Sequence, residues 1–148
     1  MSKPKDIPYE LTLYVRDHCL CMHVRRAARA LARRCDDALR PVGLTNGQFS
    51  LLMSLNRPSP PTMGDVATLL AMDRTTLTAN VKPLERRGLV EVIADGEDKR
   101  SRRLALTDAG RTALAAAVPI WTRVQAEVES LVADMEPEAL RVALRALS

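Results

Sequence analysis

Two short stretches concentrate the side chains able to do chemistry on a polyanion. On a helical wheel of about 100° per residue, residues 74–87 put Leu77, Val81 and Leu84 on one face. The opposite face carries Thr75, Thr78, Ala79, Lys82 and Arg86, with Arg74 near the N-terminal edge. Short hydroxyls beside long cations suit the major groove of a duplex, because they reach base edges and phosphates without bulk. An ordinary solvated face favours Glu/Lys pairs instead. The second stretch, ADGEDKRSRR at 94–103, holds the turn signal Asp95-Gly96 and charges too dense to bury. Taken singly, each stretch also fits a plain solvated surface.

A third stretch, His18-Cys19-Leu20-Cys21-Met22-His23, raises metal and redox chemistry. On a helix Cys19 and His23 share a face and would supply two ligands, but His18 lies off that face and no third ligand accompanies them, so no metal site is expected. Cys21 points about 200° away from Cys19, which forbids a disulfide between them in an intact helix. The chain has only two His, no phosphate-cradling Gly loop, no zinc-protease helix motif and no Gly-x-Ser-x-Gly elbow, so an enzyme is not expected.

The elements that must position these residues are legible from periodicity and caps. Residues 11–40 hold no Gly or Pro, and Leu20, Val24, Ala27, Ala28, Leu31, Cys35, Ala38 and Leu39 recur at helical spacing, predicting one long amphipathic helix stopped by Pro41 and Gly43. Thr45 caps a second helix whose buried stripe is Phe49, Leu52, Met53 and Leu55, and three prolines in Arg57–Pro61 end it. Thr62 caps a short third helix with Met63, Val66, Ala67, Leu69 and Leu70 apolar. Asp73 caps the fourth only two residues after Ala71, which is helix-turn-helix spacing. Pro83 deletes one hydrogen bond inside that helix and Gly88 ends it. Leu89–Ile93 and Arg103–Leu106 then read as strands, making a β-hairpin with a basic tip. Helix-turn-helix followed by such a hairpin is a winged helix. Thr107 opens a long helix to about Ala133, kinked at Pro119, and Pro137 begins a last one with Leu140, Ala143, Leu144 and Leu147 as its stripe. The fold class is therefore mainly α with a small β-hairpin wing. The first and last helices are too apolar for a small winged-helix core, and a second copy of the chain is the economical partner.

Composition agrees. The 148 residues are 47% hydrophobic, enough for a folded core, and the formal net charge is +4 with a pI near 9.3. Seven Arg against three Asp fall in residues 16–40, and the middle of the chain is basic, whereas the C-terminal stretch from Thr107 carries four Arg against six acids. Four aromatics, Tyr9, Tyr14, Phe49 and Trp121, argue against sugar-binding surfaces and base-stacking RNA readers. Three cysteines without an N-terminal apolar run predict a reducing, cytoplasmic setting, and charges interrupt every hydrophobic run, so no membrane partner is expected.

Three segments resemble the MarR family of bacterial transcriptional regulators: GLTNGQFSLLMSL at 43–55, MGDVATLLAMDRTTLTANVKPLERRGLV at 63–90 and DGEDKRSRRLALTDAGR at 95–111. The last is the most specific, since Asp98-x-Arg100, then Leu106-Thr107 and Gly110, match the family's wing signature at its spacing. The resemblance runs essentially end to end and implies a single MarR-type domain over 1–148. Within it, 45–106 would be the winged helix-turn-helix DNA-binding lobe, and 11–40 and 107–148 the dimerisation helices. It implies a homodimer bound to double-stranded DNA at a palindromic operator, acting as a repressor. Arg74, Thr75, Thr76, Thr78, Lys82 and Arg86 would then meet the major groove, and Arg100 the minor groove, where a narrow groove concentrates negative potential. Asp98 would orient Arg100, and Arg102 and Arg103 would contact phosphates.

Two release signals are open. Cys21 falls at or beside the reactive position of the hydroperoxide-sensing branch of the family, without the tyrosines that activate that thiolate; Arg25 would partly substitute. A small aromatic or lipophilic effector is the other signal, with Met22, Met53 and Trp121 as candidate lining. The competing reading is an Arg-rich helical module for protein or membrane-surface interaction without DNA specificity.

Overall fold

The computed structural model describes residues 6–148. The chain divides into two compact units, Met1–Arg33 and Arg34–Ser148. The first contains α1, Tyr9–His18, and the opening turns of α2, Leu20–Leu39. The single helix expected over 11–40 is thus two, broken at Cys19, whose backbone is extended at ψ 106°. Neither Gly nor Pro marks the break. Cys19 instead acts at the junction: its N–H still donates to the Val15 carbonyl, while its Sγ accepts weakly from the Met22 N–H at 3.5 Å, as a cap would. Both histidines bond through Nδ1 to carbonyls four residues back, His18 to Tyr14 and His23 to Cys19.

The second unit begins within α2, which ends in a short 3-10 turn, Arg40–Val42, closed by Gly43 at φ +71°. Then follow α3 (Asn46–Ser54), α4 (Met63–Leu69), α5 (Arg74–Arg86), β1 (Val90–Ala94), β2 (Arg102–Leu106), α6 (Asp108–Ser130) and α7 (Pro137–Ala146). Thr45 and Thr62 cap α3 and α4 as expected, each in a reciprocal capping box, with Gln48 and Asp65 respectively. Asp36 strengthens the first by accepting from both nitrogens of Asn46, at 2.6 and 3.1 Å. β1 and β2 pair antiparallel with Val90 opposite Leu106 and Ala94 opposite Arg102. α5 and α6 remain helical through Pro83 and Pro119.

The core gathers one face of the elements from the end of α2 to α6: Leu39, Phe49, Leu51, Leu52, Leu55, Val66, Leu77, Val81, Leu84, Leu104 and Leu114 are all buried. Met53, expected inside, is exposed, as is Leu69, and Leu51 takes the inner place in α3. α6 is docked by Thr107, whose hydroxyl donates to the Gly88 carbonyl at 2.6 Å and accepts from the Gly110 N–H at 3.0 Å. Gly110 is required there, because a Cβ on it would overlap the Leu89 carbonyl oxygen. Among the described residues no helix is long and apolar enough to cross a membrane.

Candidate nucleic-acid interface

The recognition surface is assembled by the turn between α4 and α5. Ala71 adopts φ +52°, the left-handed conformation that lets the chain reverse within two residues. Asp73 then starts α5: one carboxylate oxygen accepts from the Thr76 N–H at 2.7 Å and the other from the Thr76 hydroxyl at 3.0 Å. These bonds hold the Asp73 carboxyl below the ordinary carboxylate range. They also commit Thr76 to the cap. It was expected among the groove contacts; its hydroxyl donates to Asp73 while its side chain stays exposed.

One turn on, the Thr78 hydroxyl donates to the Arg74 carbonyl at 2.8 Å, leaving its oxygen to act outward as an acceptor. Arg74, Thr75, Thr78, Ala79 and Lys82 together line a shallow hollow of about 360 Å³. All five are exposed, and neither Arg74 nor Lys82 has an ion-pair partner among the described residues. A second hollow, of about 370 Å³, joins this face to the hairpin, bringing Arg102 of β2 to the same depression as Arg74 and Lys82, with Met63 and Val81 behind them and Glu85 as its acid. Arg86, expected on this face, lines neither hollow; its Nε lies 3.5 Å from the Lys82 carbonyl. Arg87, which sequence reasoning passed over, anchors the end of α5 by donating to the Gly43 carbonyl at 2.9 Å.

At the wing tip Asp98 meets Arg100 through the main chain, its carboxylate accepting from the Arg100 N–H at 2.9 Å while its carbonyl accepts from the Ser101 N–H. The Arg100 side chain stands exposed at the tip. Arg102 donates to the Lys99 and Ser101 carbonyls, both at 3.3 Å. Arg103 departs from expectation. Rather than facing outward, it is partly buried and its guanidinium is taken up by Asp95 and the Pro60 carbonyl, groups remote from it in sequence.

Of the candidate signal residues, Met22 and Cys21 lie in the first unit and Met53 and Trp121 in the second. Met53 and Trp121 line one groove of about 400 Å³ with Phe49, Leu69, Leu70 and Val118, and the Phe49 and Trp121 rings stack at 6.1 Å between centroids. Met22 belongs to the N-terminal unit, where it lines a smaller hollow with Cys19, Cys21, Arg25 and Arg29. Cys21 is exposed, and burial pushes the Cys35 thiol up. The break at Cys19 also removes the intact helix on which the separation of Cys19 from Cys21 was reckoned.

A model of the MarR family matches residues 42–101, from the end of the 3-10 turn to the wing tip. MosR of Mycobacterium tuberculosis, a transcriptional regulator solved in complex with DNA, is 44% identical, with 88% of this chain and 93% of that one covered at a TM-score of 0.80. CouR, a transcriptional repressor solved on a 23-mer DNA duplex, is 30% identical over 90% of this chain and 94% of its own, with a TM-score of 0.78. The regulator YwoH of Bacillus subtilis is 34% identical over 64% of this chain and 67% of its own. Helices, tight turn and hairpin in this order define a winged helix-turn-helix protein. The chain belongs to the MarR family of transcriptional regulators, and the relatives named are regulators, not enzymes.

Proposed function

We propose that the protein is a sequence-specific repressor that binds a palindromic operator as a homodimer. The observation that carries this reading is the joined cationic depression in which Arg74, Thr75, Thr78 and Lys82 of α5 meet Arg102 of the hairpin. Helix and hairpin thereby offer one continuous surface to a duplex. Thr75 and Thr78 suit base edges, Arg74, Lys82 and Arg102 suit phosphates, and Arg100 at the tip suits the minor groove. Thr76, Arg86 and Arg103 are left out of this set, and Asp98 shapes the turn that presents Arg100.

Dimerisation is supported by apolar side chains without cover: Val142, Leu144 and Leu147 on and after α7 are exposed, as are Leu20, Val24 and Leu31 on α2. For release, the groove at Met53 and Trp121 has the size and apolar lining for a small aromatic or lipophilic effector. Oxidation of Cys21 by a hydroperoxide is the alternative signal, supported by its exposure beside Arg25.

A band-shift titration with a probe from the gene's own upstream region tests the central reading. Binding is expected to weaken steeply with salt, and Arg100→Ala to abolish it. Failure to retard that probe at low salt, or full binding by Arg100→Ala, would overturn it. Repeating the shift with cumene hydroperoxide and a free-thiol count separates the two signals.

A further inference from the structure

We infer that Arg103 is a positioning residue that clamps the base of the wing to the loop ahead of α4, without touching the duplex; this rests on the operator-binding reading above. Its side chain is 31% exposed, and its forked guanidinium is used in two directions. Nη1 donates to the Pro60 carbonyl at 2.7 Å, while Nε and Nη2 face the two Asp95 carboxylate oxygens at 3.3 and 3.5 Å. Asp95 is itself only 10% exposed and accepts from the Glu97 N–H at 3.1 Å, so its carboxylate is also tied to the first residues of the wing tip.

The main chain repeats the connection one residue further along. The Leu104 N–H donates to the Pro61 carbonyl at 3.0 Å, and Thr62 forms an isolated β-bridge with Arg103. Arg103 therefore joins the end of β1, β2 itself, and the loop that leads into α4, the helix whose tight turn launches α5. A two-stranded hairpin has little stability of its own, so its direction must come from such attachments. A planar fork reaches a carboxylate and a carbonyl together, which a lysine ammonium does not do with the same geometry. The clamp holds Arg100 and Arg102 at a set distance from Arg74 and Lys82 before DNA arrives, lowering the ordering cost of binding.

The test exploits a sign. Removing a carboxylate from a phosphate-binding surface should, on charge alone, tighten binding; the clamp requires the reverse. With the full-length protein and its upstream probe, Asp95→Asn and Arg103→Gln are each expected to weaken specific binding roughly tenfold, with the double variant no weaker than the worse single one. Arg103→Lys should behave like Arg103→Gln, and the slope of affinity against salt should stay at the wild-type value. Hydrogen exchange on the free protein gives a DNA-independent measurement: amides at 96–100 should exchange faster in Asp95→Asn and Arg103→Lys while those of α5 do not change. Equal or tighter binding by Asp95→Asn would overturn the clamp. So would wild-type affinity in Arg103→Lys together with a slope reduced by about 0.9 in Arg103→Gln, the mark of a direct phosphate contact. Unchanged wing exchange, or an affinity loss matched by unfolding at the assay temperature, would do the same. If wild-type protein fails to shift the probe, the operator reading falls, while the exchange measurement still decides the clamp.

Discussion

Gly110 and Ala71 show how single positions are chosen by the backbone around them. At Gly110 any Cβ meets the carbonyl of Leu89, so Gly110→Ala should force α6 off the hairpin and destabilise the fold by about 1–3 kcal/mol or more. Ala71 is the converse case, an L-residue held at φ +52°. The left-handed conformation costs an alanine roughly 1–2 kcal/mol, and glycine's greater freedom in the unfolded chain takes back part of the relief. Ala71→Gly should therefore raise the urea midpoint, by up to about 1 kcal/mol of stability. Denaturant melts of the two variants should move in opposite directions. At this scale the sequence supplied residue types correctly but not always their employment. Thr76 and Arg103 read as contacts through the family resemblance, which assigns roles by position along the chain. Thr76 is captured three residues away by Asp73, and Arg103 by the carbonyl of Pro60, whose proximity no local pattern encodes.

The elements were legible where their ends carry chemistry. Thr45, Thr62, Asp73 and Thr107 each accept the backbone N–H expected of a cap, so the starts of four helices could be read directly. The break at Cys19 carried no such mark, since a thiol accepting from Met22 is a weak substitute that propensity does not flag. The hydrogen-bonded carboxylates at Asp65, Asp73 and Asp95 also predict a pH response. The Asp73 carboxyl is lowered chiefly by the Thr76 N–H, that of Asp65 by the Thr62 side chain, and that of Asp95 by the Glu97 N–H and then Arg103. A carboxyl whose folded value lies below its unfolded one stabilises fully above the unfolded value, near 4, and its contribution is lost as pH falls through the folded value. Thermal melts should thus be insensitive to these groups from pH 7 to about 5 and fall below about 4. In Asp73→Asn, where the side-chain carbonyl keeps the cap bond without the titration, the acid-induced loss should be smaller.

For the whole molecule, the dividing question is what covers the apolar faces. α7 has no buried residue, and its arginines are already engaged: Arg141 bonds Glu138 at 2.8 Å and Glu129 of α6 at 2.9 Å, and Arg145 bonds Glu138 at 2.7 Å. What remains uncovered there is apolar. Leu144→Glu is expected to yield monomers in analytical ultracentrifugation and to weaken operator binding by about two orders of magnitude, because two linked half-sites become one. A variant that stays dimeric with full affinity would take the α7 face out of the interface. The sequence by itself determined the winged helix-turn-helix, since hydrophobic period, caps and turn residues act locally and are written within a few positions of one another. Only the tertiary structure decided which polar groups face outward. It turned Arg103 inward to Asp95 and Pro60, and brought Arg102 of the hairpin to the depression lined by Arg74, Thr78 and Lys82 of α5. Those outcomes depend on segments far apart in the chain meeting in space, and the residues that meet carry no local sign of their partners.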